Sequence, residues 1–142
     1  MSKEYDLERF VEAHKYSYHH ALEEMRRGRK QTHWIWFIFP QLKHLGRSYN
    51  ARYYGIADIG EARAYLAHPL LGTRLREICA VILSLEGSDP LALMGSPDDM
   101  KLRSSMTLFA KATDDNEVFL AVLDKYYGGA QDPVTLGILE NE

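Results

Sequence analysis

Side chains with apolar surface recur at three- and four-residue steps through residues 6–27: Leu7, Phe10, Val11, Tyr18, Leu22 and Met25, with His14 taking one place in the stripe. That period lays them along one face of a helix. Asp6 can cap its start, and Arg26, Arg27 and Gly28 suit its end, where cations meet the negative pole and glycine takes a left-handed cap. Residues 34–39, Trp-Ile-Trp-Phe-Ile-Phe, are apolar at every position, so the period does not separate helix from strand. Their aromatic and β-branched content favours a strand. A strand needs partners, however, and no other segment alternates, so a short buried helix ending before Pro40 is the expectation.

Helix signals then follow closely. Asp58 with Glu61 makes a capping box ahead of Ala62, Tyr65 and Leu66, and Pro69 ends that helix at His68. A second long helix is expected over residues 69–85, with Leu71, Leu75, Ile78, Ile82 and Leu85 on one face and Gly87 as its stop. Asp89-Pro90, Ser96-Pro97 and Asp132-Pro133 each set a capping side chain before a proline at the first helical position. Asp114 with Glu117 predicts a further capping box, opening a helix through Val118, Val122 and Tyr126 that ends at Gly128-Gly129. The pattern predicts an all-α fold: a single compact domain, residues 1–142, of six to eight helices in an irregular orthogonal array.

Composition narrows the class. A chain of 142 residues that is 46% hydrophobic and 26% charged has the size and content of one globular domain and excludes a disordered or low-complexity chain. The single cysteine, Cys79, excludes a disulfide framework and a cysteine-based zinc site, and is expected as a small buried hydrophobe. His19 and His20 are adjacent and so point in different directions. With no His-Glu-x-x-His, glycine-rich phosphate loop, dinucleotide fingerprint or Gly-x-Ser-x-Gly elbow, no metal or cofactor is expected. No run reaches membrane-spanning length and the N-terminus lacks the apolar core of a signal peptide, so the expectation is a cytoplasmic protein with no membrane partner.

Charge changes the picture more. The net charge of −3 conceals 13 Lys/Arg against 8 Asp/Glu over residues 1–76, and 4 against 12 over residues 77–142. Residues 25–57 contain no acid, seven cations (Arg26, Arg27, Arg29, Lys30, Lys43, Arg47, Arg52), His33, His44 and seven aromatics (Trp34, Trp36, Phe37, Phe39, Tyr49, Tyr53, Tyr54). Cations neutralise phosphate and aromatic faces stack on rings, so the mix suits a nucleotide or a single strand. Core packing of Phe37, Phe39 and one tryptophan, with a solvated basic face, accounts for the same residues. The overall negative charge makes extended nucleic acid an unlikely partner and favours a small anion. His33, between Lys30 and the apolar run, is an imidazole that neighbouring cations would keep neutral and able to act as a base. On a helix from Pro97, Asp98, Lys101 and Ser105 share a face with Ser104 adjacent, while Leu102, Met106 and Phe109 form the buried stripe. A lysine-activated hydroxyl and a solvated, ion-paired face both fit that pattern. The turn His68-Pro69 with Arg74 just beyond offers a helix start able to receive an anion, or simply a rigid cap.

Three blocks carry a resemblance: Gly28-Arg-Lys-Gln-Thr-His33-Trp-Ile-Trp-Phe-Ile-Phe-Pro-Gln41 with Leu45-Gly46-Arg-Ser48; Ala64-Tyr-Leu-Ala-His68-Pro-Leu-Leu-Gly72-Thr-Arg74-Leu; and Asp99-Met-Lys101-Leu-Arg-Ser-Ser105-Met-Thr-Leu-Phe109. Across nearly its whole length the chain resembles domain-of-unknown-function family 1810, whose members include some labelled "calpastatin", a label nothing in this sequence supports. The resemblance implies an all-helical domain and brings no established activity or cofactor. Its motif positions include Lys30, His33, Trp34, Gln41, Ser48, His68, Arg74, Lys101, Ser104 and Ser105. The expectation is that these converge, with Lys30, Arg74 and Lys101 holding an anion, Trp34 or Trp36 stacking on a ring, and His33 as catalytic base or orienting donor. Such a pocket would bind a nucleotide-like or phosphorylated ligand, with hydrolysis or group transfer open. The alternatives are a protein-interaction module presenting a Tyr/Trp/Arg patch, and single-stranded RNA binding.

Overall fold

The structure is a computed structural model describing residues 5–142. Nine α-helices and one 3₁₀ turn follow one another in the described residues, with no strand. They are α1 (Glu8–Arg26), α2 (Ile35–Ile38), the 3₁₀ turn Lys43–Leu45, α3 (Tyr49–Tyr53), α4 (Ile59–Ala67), α5 (Leu71–Ser84), α6 (Pro90–Met94), α7 (Asp98–Ala112), α8 (Glu117–Tyr127) and α9 (Pro133–Glu140). The array is irregular because α2, α3 and α6 are only four or five residues long and serve as corners between longer rods. The apolar run does form the short buried helix its lack of partners implies.

Helix α7 is the hub. It packs on α8, α4, α6, α9 and α2, and every residue from Ser104 to Ala110 is buried. A file of aromatic rings crosses the core from α1 to α8: Phe10 meets Tyr65 edge-on at 5.0 Å, Tyr65 meets Phe109 at 5.3 Å, and Phe109 meets Phe119 at 5.9 Å. Such rings supply the largest apolar burial per residue. Helices α4 and α5 close on each other at Gly72, where a Cβ would lie 2.1 Å from the Leu66 carbonyl oxygen.

Most expected caps are present. Asp58 Oδ1 accepts from the Glu61 amide, Asp89 Oδ1 from Leu91, Asp132 Oδ2 from Thr135, and Gly128 turns left-handed after α8. Three differ. Helix α1 starts from Leu7 without a side-chain cap, and it is the Asp6 carbonyl that is engaged, by the Arg9 guanidinium. Ser96 does not cap α7: the Ser96–Pro97 peptide is cis and Pro97 itself takes the N-cap position. Asp114 does not open α8 either. Asn116 stands at that N-cap, and its amide turns back to the Ala110 carbonyl at 2.9 Å.

Between α2 and α4 the chain makes a closed excursion. Leu42 and Ile56 form an isolated parallel bridge, with Ile56 N donating to Gln41 O and Lys43 N to Ile56 O at 2.9 and 2.8 Å. Residues 42–56 thus leave and rejoin the body at one place, carrying α3 at their tip. No helix of the described residues is long and apolar enough to cross a membrane.

Candidate functional site

Residues 29–34 reach the site through α1. The Glu24 carboxylate, near the end of that helix, accepts from Gln31 N, Thr32 N, Thr32 Oγ1 and Trp34 Nε1 at 2.6–2.9 Å. Burial opposes its charge, yet these four donors outweigh burial and hold its pKa at about 2. Trp34 is thereby fixed inside the core, and Lys30 lies over its ring at 5.1 Å.

From there Lys30 reaches α7. Its side chain is 7% exposed and pairs with Asp98 Oδ2 at 2.8 Å, while Lys101 lies 3.5 Å from the other oxygen of the same carboxylate. Two ammonium groups thus share one carboxylate. Lys101 also stands 5.8 Å from the Trp36 ring centre. Trp36 Nε1 is buried and meets no acceptor among the described residues. Trp36, Gln41 and Lys101 line a crevice walled by Ile35, Phe39, Ala51 of α3 and Tyr54 just after it, with about 10 Å³ of free space, enough for one water-sized group. Gln41 and Lys101 also line the groove just outside, about 240 Å³, shared with Met100, Ser104 and Asp132.

Ser104 is nearly buried and donates to Asp132 Oδ2 at 3.0 Å, with the Met100 carbonyl an alternative acceptor at 3.2 Å. Although burial pushes the Asp132 carboxyl up, hydrogen bonds from Thr135 and Ser104 hold it below the usual carboxylate range, so it is a weak base for the serine. No hydrogen bond joins Lys101 to Ser104 in the described residues. Ser105, expected on the same polar face, is fully buried with its Oγ unpartnered, because α7 is enclosed by its neighbours around most of its circumference at that level.

The remaining motif residues lie elsewhere. Ser48 caps α3 by accepting from Ala51 N at 3.1 Å. His68 Nδ1 accepts from Leu70 N and Leu71 N at 3.1 and 3.2 Å, filling the helix start of α5 offered above as a place for an anion. Arg74 lies over the Tyr18 ring at 4.4 Å, with Nη1 3.4 Å from His14 Nδ1. His33 is exposed, and no hydrogen bond or ion pair joins its side chain to the others among the described residues. The structure therefore gathers Lys30, Trp36, Gln41, Lys101 and Ser104, with Trp34 beneath them. Ser48, His68, Arg74, His33 and Ser105 are not part of that group.

A second polar cluster escaped the sequence reading. His14, buried on α1, is set with Nε2 2.9 Å from the Phe37 carbonyl and its ring stacked on Tyr18 at 5.5 Å. Because a carbonyl requires a donor, Nε2 carries the proton and Nδ1 faces Arg74 as an acceptor. Burial, helped by Arg74 and His68, lowers its pKa to about 4 against the raising effect of the Phe37 carbonyl. Tyr18 OH donates to Glu77 Oε1. The one sequence signal was His14 standing in a run of apolar positions. Glu24 gave none, since an acid on a helix is most often solvated. Cys79 is buried as expected, and burial pushes its thiol up. No group of three His, Cys, Asp or Glu side chains in the described residues is placed to hold a metal ion.

No curated protein matches this chain. Among solved structures, the crystal structure of the conserved hypothetical protein Rv1873 from Mycobacterium tuberculosis is similar, with 51% identity, 95% of this chain and 96% of that chain covered, and a TM-score of 0.93. The match to the protein family of unknown function DUF1810 runs over residues 4–139, all of the gathered site and all of the helical array but the last residue of α9, and the chain belongs to that family.

Proposed function

We propose that the protein binds a small anionic ligand, nucleotide-like or phosphorylated, in the groove over Trp36, Gln41, Lys101 and Ser104. The observation that carries this reading is the buried Trp36 N–H without an acceptor, beside a Lys101 ammonium that shares its carboxylate with Lys30. Two cations against one carboxylate leave a local excess of positive charge, and an indole N–H adds a directed donor. The crevice admits one oxygen-sized group, so the anionic oxygen enters it while the rest of the ligand lies in the outer groove. In this reading Gln41 supplies a further amide, and Ser104, oriented by Asp132, offers its hydroxyl oxygen. Arg74 and His68 stand outside the contact set, and His33 at most orients a ligand from the rim.

The test is a thermal-shift series with inorganic phosphate, nucleoside mono- and diphosphates, dinucleotides and sugar phosphates. A rise in Tm of a few degrees is expected for at least one phosphorylated compound at concentrations well above its Kd. Lys101→Met and Trp36→Phe should abolish the rise, Arg74→Met should keep it, and Asp98→Asn should strengthen it by freeing both ammonium groups. No shift with any compound, or a shift unchanged in Lys101→Met, would remove this reading.

A further inference from the structure

Folding divides the acid-free basic-aromatic stretch in two. Trp34, Phe37 and Phe39 go into the core and Lys30 goes to Asp98, whereas Lys43, His44, Arg47 and Arg52 stay exposed. None of these four has a carboxylate partner among the described residues. In the same excursion Tyr49 and Tyr53, 78% and 46% exposed, stack in parallel with ring centres 5.9 Å apart and planes 8° apart. They lie one turn apart on α3, and the Tyr53 ring also meets Tyr54, which lines the crevice, edge-on at 4.8 Å.

The platform is held in place rather than loosely hung. Arg9 on α1 donates to the Tyr53 and Gly55 carbonyls at 2.8 and 3.0 Å and pairs with Glu61 at 2.9 Å. A Cβ at Gly46 would come within 2.6 Å of the Ala51 Cβ, and one at Gly55 within 2.4 Å of the Lys43 Cα, so the excursion is packed on itself. Binding to such a surface loses little conformational entropy.

We infer that this face of α3 binds a short single strand of nucleic acid, with bases stacking on Tyr49 and Tyr53 and phosphates against Lys43, Arg47 and Arg52. Exposed aromatic faces and uncompensated cations on one compact excursion are the two elements of a sequence-tolerant single-strand site. Tyrosine and arginine also serve protein interfaces, but cations without carboxylate partners beside exposed rings match the phosphates and bases of a polyanion, so a protein partner is left as an outcome of the test. The 12 acids of residues 77–142 repel a long polyanion, which confines the contact to a few nucleotides.

The experiment is fluorescence anisotropy with end-labelled U6, A6 and dT6 on the full chain between 50 and 300 mM salt. Three phosphate contacts predict a slope of log K against log salt of about −2. Tyr49→Ala and Tyr53→Ala should each weaken binding about tenfold. Arg52→Ala should weaken it and lower the slope by about 0.7. Both tyrosines are exposed, so unchanged melting by circular dichroism accompanies these variants, while Tyr49→Phe, which keeps the ring, retains binding. Lys101→Met leaves oligonucleotide binding intact, which separates this face from the anion groove. No binding at 50 mM salt, binding undiminished in the double tyrosine variant, or equal tyrosine-dependent capture of an oligoglutamate peptide would overturn the inference.

Discussion

Helix α1 grips the segment 31–37 at two points with opposite electrostatics. Near its C-terminus a buried carboxylate, Glu24, is kept charged. Near its middle a buried imidazole, His14, is kept neutral. Both sites are almost fully enclosed, so burial alone does not explain the difference. The number and sign of partners does. Glu24 collects four donors, whereas His14 meets one carbonyl and an arginine that repels a second positive charge. Low-dielectric surroundings discourage any charge, and only a dense set of directed hydrogen bonds reverses that preference.

The comparison breaks most easily at Glu24. Glu24→Ala removes the acceptor for two amides, a hydroxyl and a buried indole, and should cost about 4 kcal/mol in urea unfolding. Glu24→Gln keeps the shape with one acceptor oxygen and should cost about half of that. A loss under about 1 kcal/mol for the alanine variant would mean the loop holds itself without the carboxylate.

Acid sharpens the contrast, because the two groups titrate in different windows. An unfolded imidazole takes its proton near pH 6.5, the folded one only near pH 4, so His14 stability is complete above 6.5 and drains away as pH falls to 4. The difference amounts to about 3 kcal/mol. Glu24 contributes above its unfolded value of 4.5 and loses its part as pH falls to about 2. Stability measured against pH should therefore fall in two legs, with His14→Gln flattening the upper one and Glu24→Gln the lower. A single leg unaffected by His14→Gln would contradict the assignment.

The smallest effect belongs to Tyr18. Tyr18→Phe keeps the ring stacked on His14 and beneath Arg74 and removes only the hydroxyl bonded to Glu77. A cost of about 1 kcal/mol is expected, with the upper leg of the pH profile unmoved. A shift of that leg would show that the hydroxyl, rather than burial, governs His14.

The helical array was legible because its signals are local. Asp89-Pro90, Asp132-Pro133 and Gly128-Gly129 state where a chain must start or stop a helix whatever surrounds it. Where a cap was misplaced, at Asp114 or Ser96, a neighbouring residue competed for the same position, and tertiary contacts chose between them. The site was legible only in part. The helical spacing put Asp98 beside Lys101, yet Lys30 lies in a different block of the sequence, and nothing local foretells that it would reach the same carboxylate.

By itself the sequence determined an all-helical domain with a basic, aromatic, acid-free stretch. Helix period and capping depend on neighbours within a few positions, and charge can be counted. The sequence already pointed Phe37 and Phe39 to the core, but only the tertiary structure decided that Trp34 rather than Trp36 joins them fully buried. It buried Ser105 rather than exposing it, split the cations between ion pairs and open surface, and turned Tyr49 and Tyr53 outward. Those choices depend on what packs against each side chain from distant parts of the chain, and no local pattern encodes that.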